Sequence, residues 1–343
     1  TEAITIGASL LEPFMPETSE KILAQLNTRK RELTEMDTFG LYPSDNKVTD
    51  KPEILLHVGY QMRYGKVEEM HAAETAKPAE EAAEDKDGID IYVKPGTKNE
   101  SVHIPVVISK TGLEECVYND FHIGEGADVL IVAGCGIHNS GDKLSRHDGI
   151  HTFYIGKNAR VKYVEKHYGK GDGNGENVMN PTTIVNIEEG GYMEMETVQI
   201  KGIDSTNRVT KGKLDKDAKI VITERIMTHG NQTATTRFEV DMDGDGSSAN
   251  VISRSVARDN SKQIFYSVIN GNARCNGHSE CDAIIMDNAK ISAIPEITAN
   301  DLDASLIHEA AIGKIAGEQL IKLQTLGLTE AEAEGQIVNG FLK

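Results

Sequence analysis

The sequence predicts a mainly β chain wound as a parallel β-helix, a solenoid, with small N-terminal and C-terminal α-helical regions. Three observations carry this. First, short β-rich runs follow one another after Asp90: Val102–Ser109, Asp128–Ala133, Thr152–Ile155, Val161–Glu165, Thr182–Ile187, Met193–Ile200, Ile220–Glu224 and Ile264–Ile269. Second, a small-residue turn doublet recurs at Gly126-Ala127, Asn158-Ala159, Gly190-Gly191, Asp217-Ala218, Ser248-Ala249, Asn272-Ala273 and Asn288-Ala289. Gly, Asn and Asp accept left-handed turn conformations, and a small side chain fits beneath the next coil. Third, Trp is absent and aromatic residues make up only 5% of the chain, which suits a narrow core. A β-sandwich is the competing fold.

The elements follow in order. Residues 1–90 form an N-terminal helical region and linker. Within it Glu17–Met36 reads as an amphipathic helix on the spacing of Ile22, Leu23, Leu26 and Leu33. Pro52–Tyr64 reads as a second short helix, and the Ala/Glu/Lys-rich stretch His71–Asp87 as a linker. Residues 91–301 are the β-helix core, and residues 302–343 close the chain with helices. Glu318–Leu326 is amphipathic with Gly327 as its C-cap. Thr329-Glu330-Ala331-Glu332 has the form of a capping box opening a last helix to about Phe341.

A formal net charge of −18 lacks the basic stripe that phosphate binding needs, so nucleic acid is not expected as a partner. No apolar run reaches membrane-spanning length, and Thr1–Leu11 lacks a signal-peptide pattern, so a cytoplasmic location is expected. Four cysteines, Cys116, Cys135, Cys275 and Cys281, are too few for a disulfide framework at this length.

Several motif matches fail. Asp241, Asp243, Asp245 and Gly246 begin a calcium loop, but Ile252 stands where the closing Glu belongs, so a solvated turn is expected. The glycine-rich run Gly169–Gly175 opens no helix, and no Gly-x-x-x-x-Gly-Lys-Ser/Thr is present; the chain should not hydrolyse nucleotides. Cys135 and His138, followed by His147 and His151, form a candidate metal cluster without the usual Cys-x-x-Cys spacing.

The chemistry concentrates between Gly277 and Phe341. Gly277-His278-Ser279-Glu280-Cys281-Asp282 is followed by His308-Glu309. A thiol, an imidazole and a carboxylate together can hold iron or zinc; the bland reading is a buried Cys and a surface His-Glu pair. On an unbroken strand Cys275 and Cys281 share a face and His278 points away. If their segment is extended, His308 and Glu309 also face opposite sides.

From about Gly124 the chain resembles the SufB/SufD family, scaffold components of SUF iron–sulfur cluster assembly. The resemblance rests on Gly277–Asp282 with Ala283-Ile284-Ile285, on Ile294-Pro295-Glu296-Ile297, on Leu306–Ala310 with Gly313-Lys314-Ile315, and on Glu318-Gln319-Leu320. Gly327-Leu328, Ile337–Phe341, Ile131–Cys135 and Glu188–Tyr192 add to it. It implies a right-handed parallel β-helix whose C-terminal helical region docks a SufC-like ABC ATPase, the seat of ATP hydrolysis. It also implies a non-catalytic scaffold, dimerised near the end of the β-helix, that builds a transient iron–sulfur cluster. A sulfur donor and recipient apo-proteins would be further partners. The implied cluster residues are Cys281, Glu309 and His308, with Cys135 as a further ligand or sulfur-relay thiol. This chain resembles a compact SufB-like form, and with all three residues present it is expected to act as a homodimer with the ATPase. A structural adaptor for the ATPase without its own cluster, or a β-helix carbohydrate-active enzyme, are the other functions such a fold permits.

Overall fold

The computed structural model describes residues 87–343, the strand at residues 59–63, and short pieces at 23–24 and 27–29. The chain divides into two compact units, Thr1–His57 and Val58–Lys343.

The second unit is a parallel β-solenoid. Its strands are β1 Gly59–Arg63, β2 Gly88–Val93, β3 Lys98–Ile108, β4 Glu114–Ile123, β5 Asp128–His138, β6 Ser145–Ile155, β7 Arg160–Lys170, β8 Asn177–Met179 and β9 Thr182–Ile187. They continue with β10 Tyr192–Lys201, β11 Ser205–Leu214, β12 Lys219–Thr228, β13 Thr233–Met242, β14 Ser248–Ala257, β15 Lys262–Gly271, β16 Asn276–Ile285, β17 Lys290–Ala299 and β18 Ser305–Gly313. They stack into two sheets. One runs β1-β2-β4-β6-β8-β11-β13-β15-β17, with β9 between β6 and β11; the other runs β3-β5-β7-β10-β12-β14-β16-β18. Each coil therefore contributes one strand to each sheet. The repeat in the last coils is set by register: Lys262 pairs with Lys290, and Asn276 with Ser305.

Strict alternation explains why these residues form strands. In β10 Met193, Met195, Thr197 and Gln199 are buried while the residues between them are partly exposed. Inward Ile, Val, Met and Phe side chains fill the space between the sheets, and Phe121 stacks on Phe153 one coil along with ring centroids 4.3 Å apart. Each such fully buried side chain contributes about 1.5–3 kcal/mol.

The seven turn doublets fall at different places on the coil, which explains their irregular spacing. Gly126, Asn158, Gly190 and Asp217, all at positive φ, occupy the turns that lead into β5, β7, β10 and β12. Their amides bond to the next coil, Gly126 N–H to the Lys157 carbonyl and Asn158 N–H to that of Glu189. Ala127, Ala159 and Ala218 beneath them are fully buried. Asn288-Ala289 lies in the opposite turn, Ser248-Ala249 opens β14, and Asn272-Ala273 lies between β15 and β16. Asp243 and Gly246 belong to the β13–β14 turn, with Gly246 at φ 77°, as a solvated turn requires. The run Gly169–Gly175 packs on the preceding coil: a Cβ on Gly171 would come within 1.8 Å of the Asn139 carbonyl oxygen.

Two helix expectations are corrected. Within Pro52–Tyr64, Gly59–Arg63 is a strand, paired antiparallel with β2; hydrogen bonding to a sheet edge overrides the local helical pattern. Within Glu17–Met36, residues 23 and 24 are helical, but Asn27 has φ 49° and Thr28 N–H bonds back to the Leu23 carbonyl. That is a Schellman stop, so the helix ends there. The rest of both segments, and most of His71–Asp87, lie outside the described residues.

The β-helix extends past residue 301 through β18. Helix α1, Gly317–Thr325, buries none of its residues. Helix α2, Glu330–Phe341, begins at the Thr329–Glu332 capping box and buries Ala333 and Val338. Val338 packs with Met286 and Val256 on the solenoid, and Arg258 reaches Glu334 at 3.6 Å.

Candidate functional site

β16 and β18 are neighbours at the open end of the eight-stranded sheet, and strand parity sorts their side chains. Ser279 pairs with His308 and Cys281 with Ala310, and Ser279 and Cys281 are both 0% exposed on the inner face. His308 shares that face, half-buried. Glu280 pairs with Glu309 on the outside, where Glu309 is 67% exposed and 4.0 Å from His278. The structure thus groups Cys281 with His308 and places Glu309 on the other side of the sheet. Cys275 and Cys281 are both buried and His278 points outward, its Nδ1 2.9 Å from the Asn250 side-chain oxygen.

Burial pushes the Cys281 thiol up to about 12, reinforced by the Glu224 and Asp282 carboxylates. It is a neutral thiol until a metal displaces its proton. Burial lowers the His308 imidazole, as does His278 nearby, against the hydrogen bond it donates to the Ser279 backbone carbonyl. His308 is therefore held neutral with a free lone pair, as a ligand must be. Its Nδ1 is buried without a partner.

Cys135 lies elsewhere. From β5 to β16 the sheet counts five strand steps, about 24 Å at ~4.8 Å per step. Cys135 cannot ligate an ion held by Cys281. Its thiol is raised to about 12, mainly by burial and then by Glu165. His138 points to solvent beside Ser140, so the Cys135–His138 pair with His147 and His151 does not close into one cluster. Among the described residues no group of three or more Cys, His, Asp or Glu side chains surrounds a common point.

The interior also holds a polar network that sequence patterning did not expose. Arg208 donates to Glu165 and to His167 Nδ1, and the Tyr163 hydroxyl donates to Glu165 at 3.2 Å. Burial alone would raise the Glu165 carboxyl; Arg208 and His167 overcome it and hold Glu165 well below the usual range. Farther along, Ser253 and Thr236 donate to Glu224, whose carboxyl burial raises despite Arg208 3.9 Å away. Ser253 is the strand partner of Cys281, so this polar line ends at the thiol.

The fold is a parallel solenoid with a thiol and an imidazole on the inner face of its last coils. Residues 114–341 match the family model for the SUF system FeS cluster assembly SufBD core domain, and the chain belongs to that family. It is 31% identical over 265 residues to an iron-sulfur cluster assembly SufBD family protein of Archaeoglobus fulgidus, covering 76% of this chain and 69% of the relative. It is 31% identical over 255 residues to one of Methanocaldococcus jannaschii, 74% and 79% covered. One of Methanothermobacter thermautotrophicus is 28% identical over 271 residues, 76% and 64% covered. Family membership places the chain in iron–sulfur cluster assembly.

Proposed function

We propose that this chain is the scaffold on which a labile iron–sulfur cluster is built, at a seam between two copies, driven by a SufC-like ATPase. The observation that carries the reading is the shared inner face of Cys281 and His308 at the end of the solenoid. Iron–sulfur clusters need thiolate or comparable ligands, and one chain offers a thiol and an imidazole there. Two copies would offer four ligands. Mixed nitrogen and sulfur ligation at an exposed seam suits a cluster that is passed on to recipient proteins.

Dimerisation is supported by the end strands. β17 and β18 are the last strands of the two sheets, and their exposed faces carry Ile294, Ile297, Ile307 and Ile312. Bare edges with apolar side chains call for a cover, and a two-fold axis through them brings two copies of Cys281 together. The ATPase fits α1 and its C-cap, where Ile321 and Leu326 are 60% and 79% exposed. The chain itself has no phosphate-binding loop, so ATP hydrolysis belongs to the partner. Among the described residues no helix is long and apolar enough to cross a membrane; the scaffold is proposed to act in the cytoplasm.

Anaerobic reconstitution with iron and sulfide tests the reading. The purified complex should gain cluster absorbance and bound iron, and Cys281→Ala should lose most of both. Wild-type iron in that variant would leave the adaptor reading. Light scattering should report a homodimer at micromolar concentration; a monomer would leave the site short of ligands.

A further inference from the structure

The interior of the third coil carries a pair of imidazoles that cluster assembly at Cys281 does not use. His147 and His151 both face inward from β6, 2% and 3% exposed. Between them, on the same face, stands Gly149. A Cβ on Gly149 would be 3.2 Å from His151 Nε2 and 3.6 Å from His147 Nε2. Both nitrogens therefore aim at one spot that holds no side chain.

The hydrogen bonds fix which nitrogen carries each proton. His147 Nδ1 lies 2.8 Å from a Glu115 carboxylate oxygen, which only accepts, so Nδ1 holds the hydrogen. The Tyr163 hydroxyl donates to Glu165 and so accepts from His151 Nδ1 at 2.6 Å. Each ring is left with a bare lone pair on Nε2, and His147 Nε2 has no hydrogen-bond partner. Two lone pairs aimed at one buried spot cannot satisfy each other.

From this geometry we propose that His147 and His151 form a metal-binding site for a first-row divalent ion of the zinc and iron class, seated over Gly149. Imidazole nitrogen suits these ions. A carboxylate or phenol holding the far ring nitrogen is the arrangement that orients metal-ligating histidines. An ion bound there would lie ~2.0–2.1 Å from each nitrogen, the length of a zinc–imidazole bond. Water completes the coordination, and the Glu115 and Glu165 carboxylates balance the charge. The site rests on these residues alone and stands apart from the cluster reading.

Because the site is enclosed, the ion is taken up as the chain folds. The test expresses the chain in zinc-supplemented medium, purifies it without chelator and counts metal by mass spectrometry. A Cys281→Ala/His308→Ala background removes the other candidate site. One zinc per chain is expected there, falling at least tenfold in Gly149→Ala, which keeps both imidazoles and fills their shared space. His147→Gln should lose zinc equally, with circular dichroism confirming that both variants fold. In cobalt-supplemented medium the background protein should show visible bands of nitrogen-ligated cobalt. A background protein without metal, meaning that water satisfies the two nitrogens, would overturn the proposal. So would wild-type zinc in folded Gly149→Ala or His147→Gln; if one variant fails to fold, the other decides.

Discussion

Cys281 and His308 face the same interior from adjacent strands, offset by two residues: Ser279, the register partner of His308, lies one inward position before Cys281. Glu309, the neighbour of His308 in the chain, faces the opposite way. This ranks the ligands. Cys281→Ala should abolish most cluster loading, His308→Ala should reduce it several-fold, and Glu309→Ala should reduce it least. Iron and acid-labile sulfide counts on reconstituted protein measure this. A Glu309→Ala loss larger than that of His308→Ala would mean the outer face carries the cluster.

Thiol reactivity should divide the four cysteines. Cys116 is exposed, whereas Cys135, Cys275 and Cys281 are buried with raised thiols. In the native protein at neutral pH, iodoacetamide followed by peptide mass spectrometry should label Cys116 first, by at least tenfold in rate. Fast labelling of Cys281 would show that its pocket opens in solution.

Stability should fall on mild acidification. Burial lowers the His167 imidazole, against the neighbouring Glu165 carboxylate. The unfolded chain, with ordinary histidines near pKa ~6.5, then binds more protons than the folded one. The contribution is complete above the unfolded value and is lost as pH falls from ~6.5 toward the folded value, at up to about 1.4 kcal/mol per pH unit for this histidine. Denaturant midpoints at pH 7 and pH 5 should show the drop, and His167→Gln should blunt it.

Breaking the buried ion pair should be severe. Arg208→Met leaves Glu165 charged and 1% exposed, and should cost about 3–5 kcal/mol in urea unfolding. Replacing both, Glu165→Gln with Arg208→Met, should recover a large part of that. An additive double variant would mean that the pair is not coupled.

The ATPase contact should be separable from the fold. Ile321→Asp or Leu326→Asp alters only α1 or its C-cap, leaving the α2 contact through Val338 and Met286 intact. Co-purification with the ATPase should be lost while the melting temperature stays unchanged. Undiminished binding would place the docking surface elsewhere.

The solenoid was legible because its turns announce themselves: Gly126, Asn158, Gly190 and Asp217 are residue types that accept a positive φ. β11 was not, because its inward positions include Thr206, Arg208 and Thr210, so no apolar alternation marks it. The same polar interior hid Glu165 and Glu224, which are charged residues at core positions. At the candidate site, alternation already foretold that His308 and Glu309 part ways. The His147/His151 convergence depends on Tyr163 and Glu115 from other coils, a three-dimensional relation that spacing does not carry.

The stacking of coil on coil also sets how this chain can change in length. Lys262 meets Lys290 after one circuit of 28 residues, and inward residues of one coil lie over inward residues of the next. Removing one whole circuit would leave every remaining side chain on its own face, whereas losing a single residue within a strand would invert that strand from there on. Members of such a lineage can therefore drift in size by entire rungs while the terminal rung, with Cys281 and His308, stays unaltered. Length is free to vary in the middle, and chemistry is kept at the end.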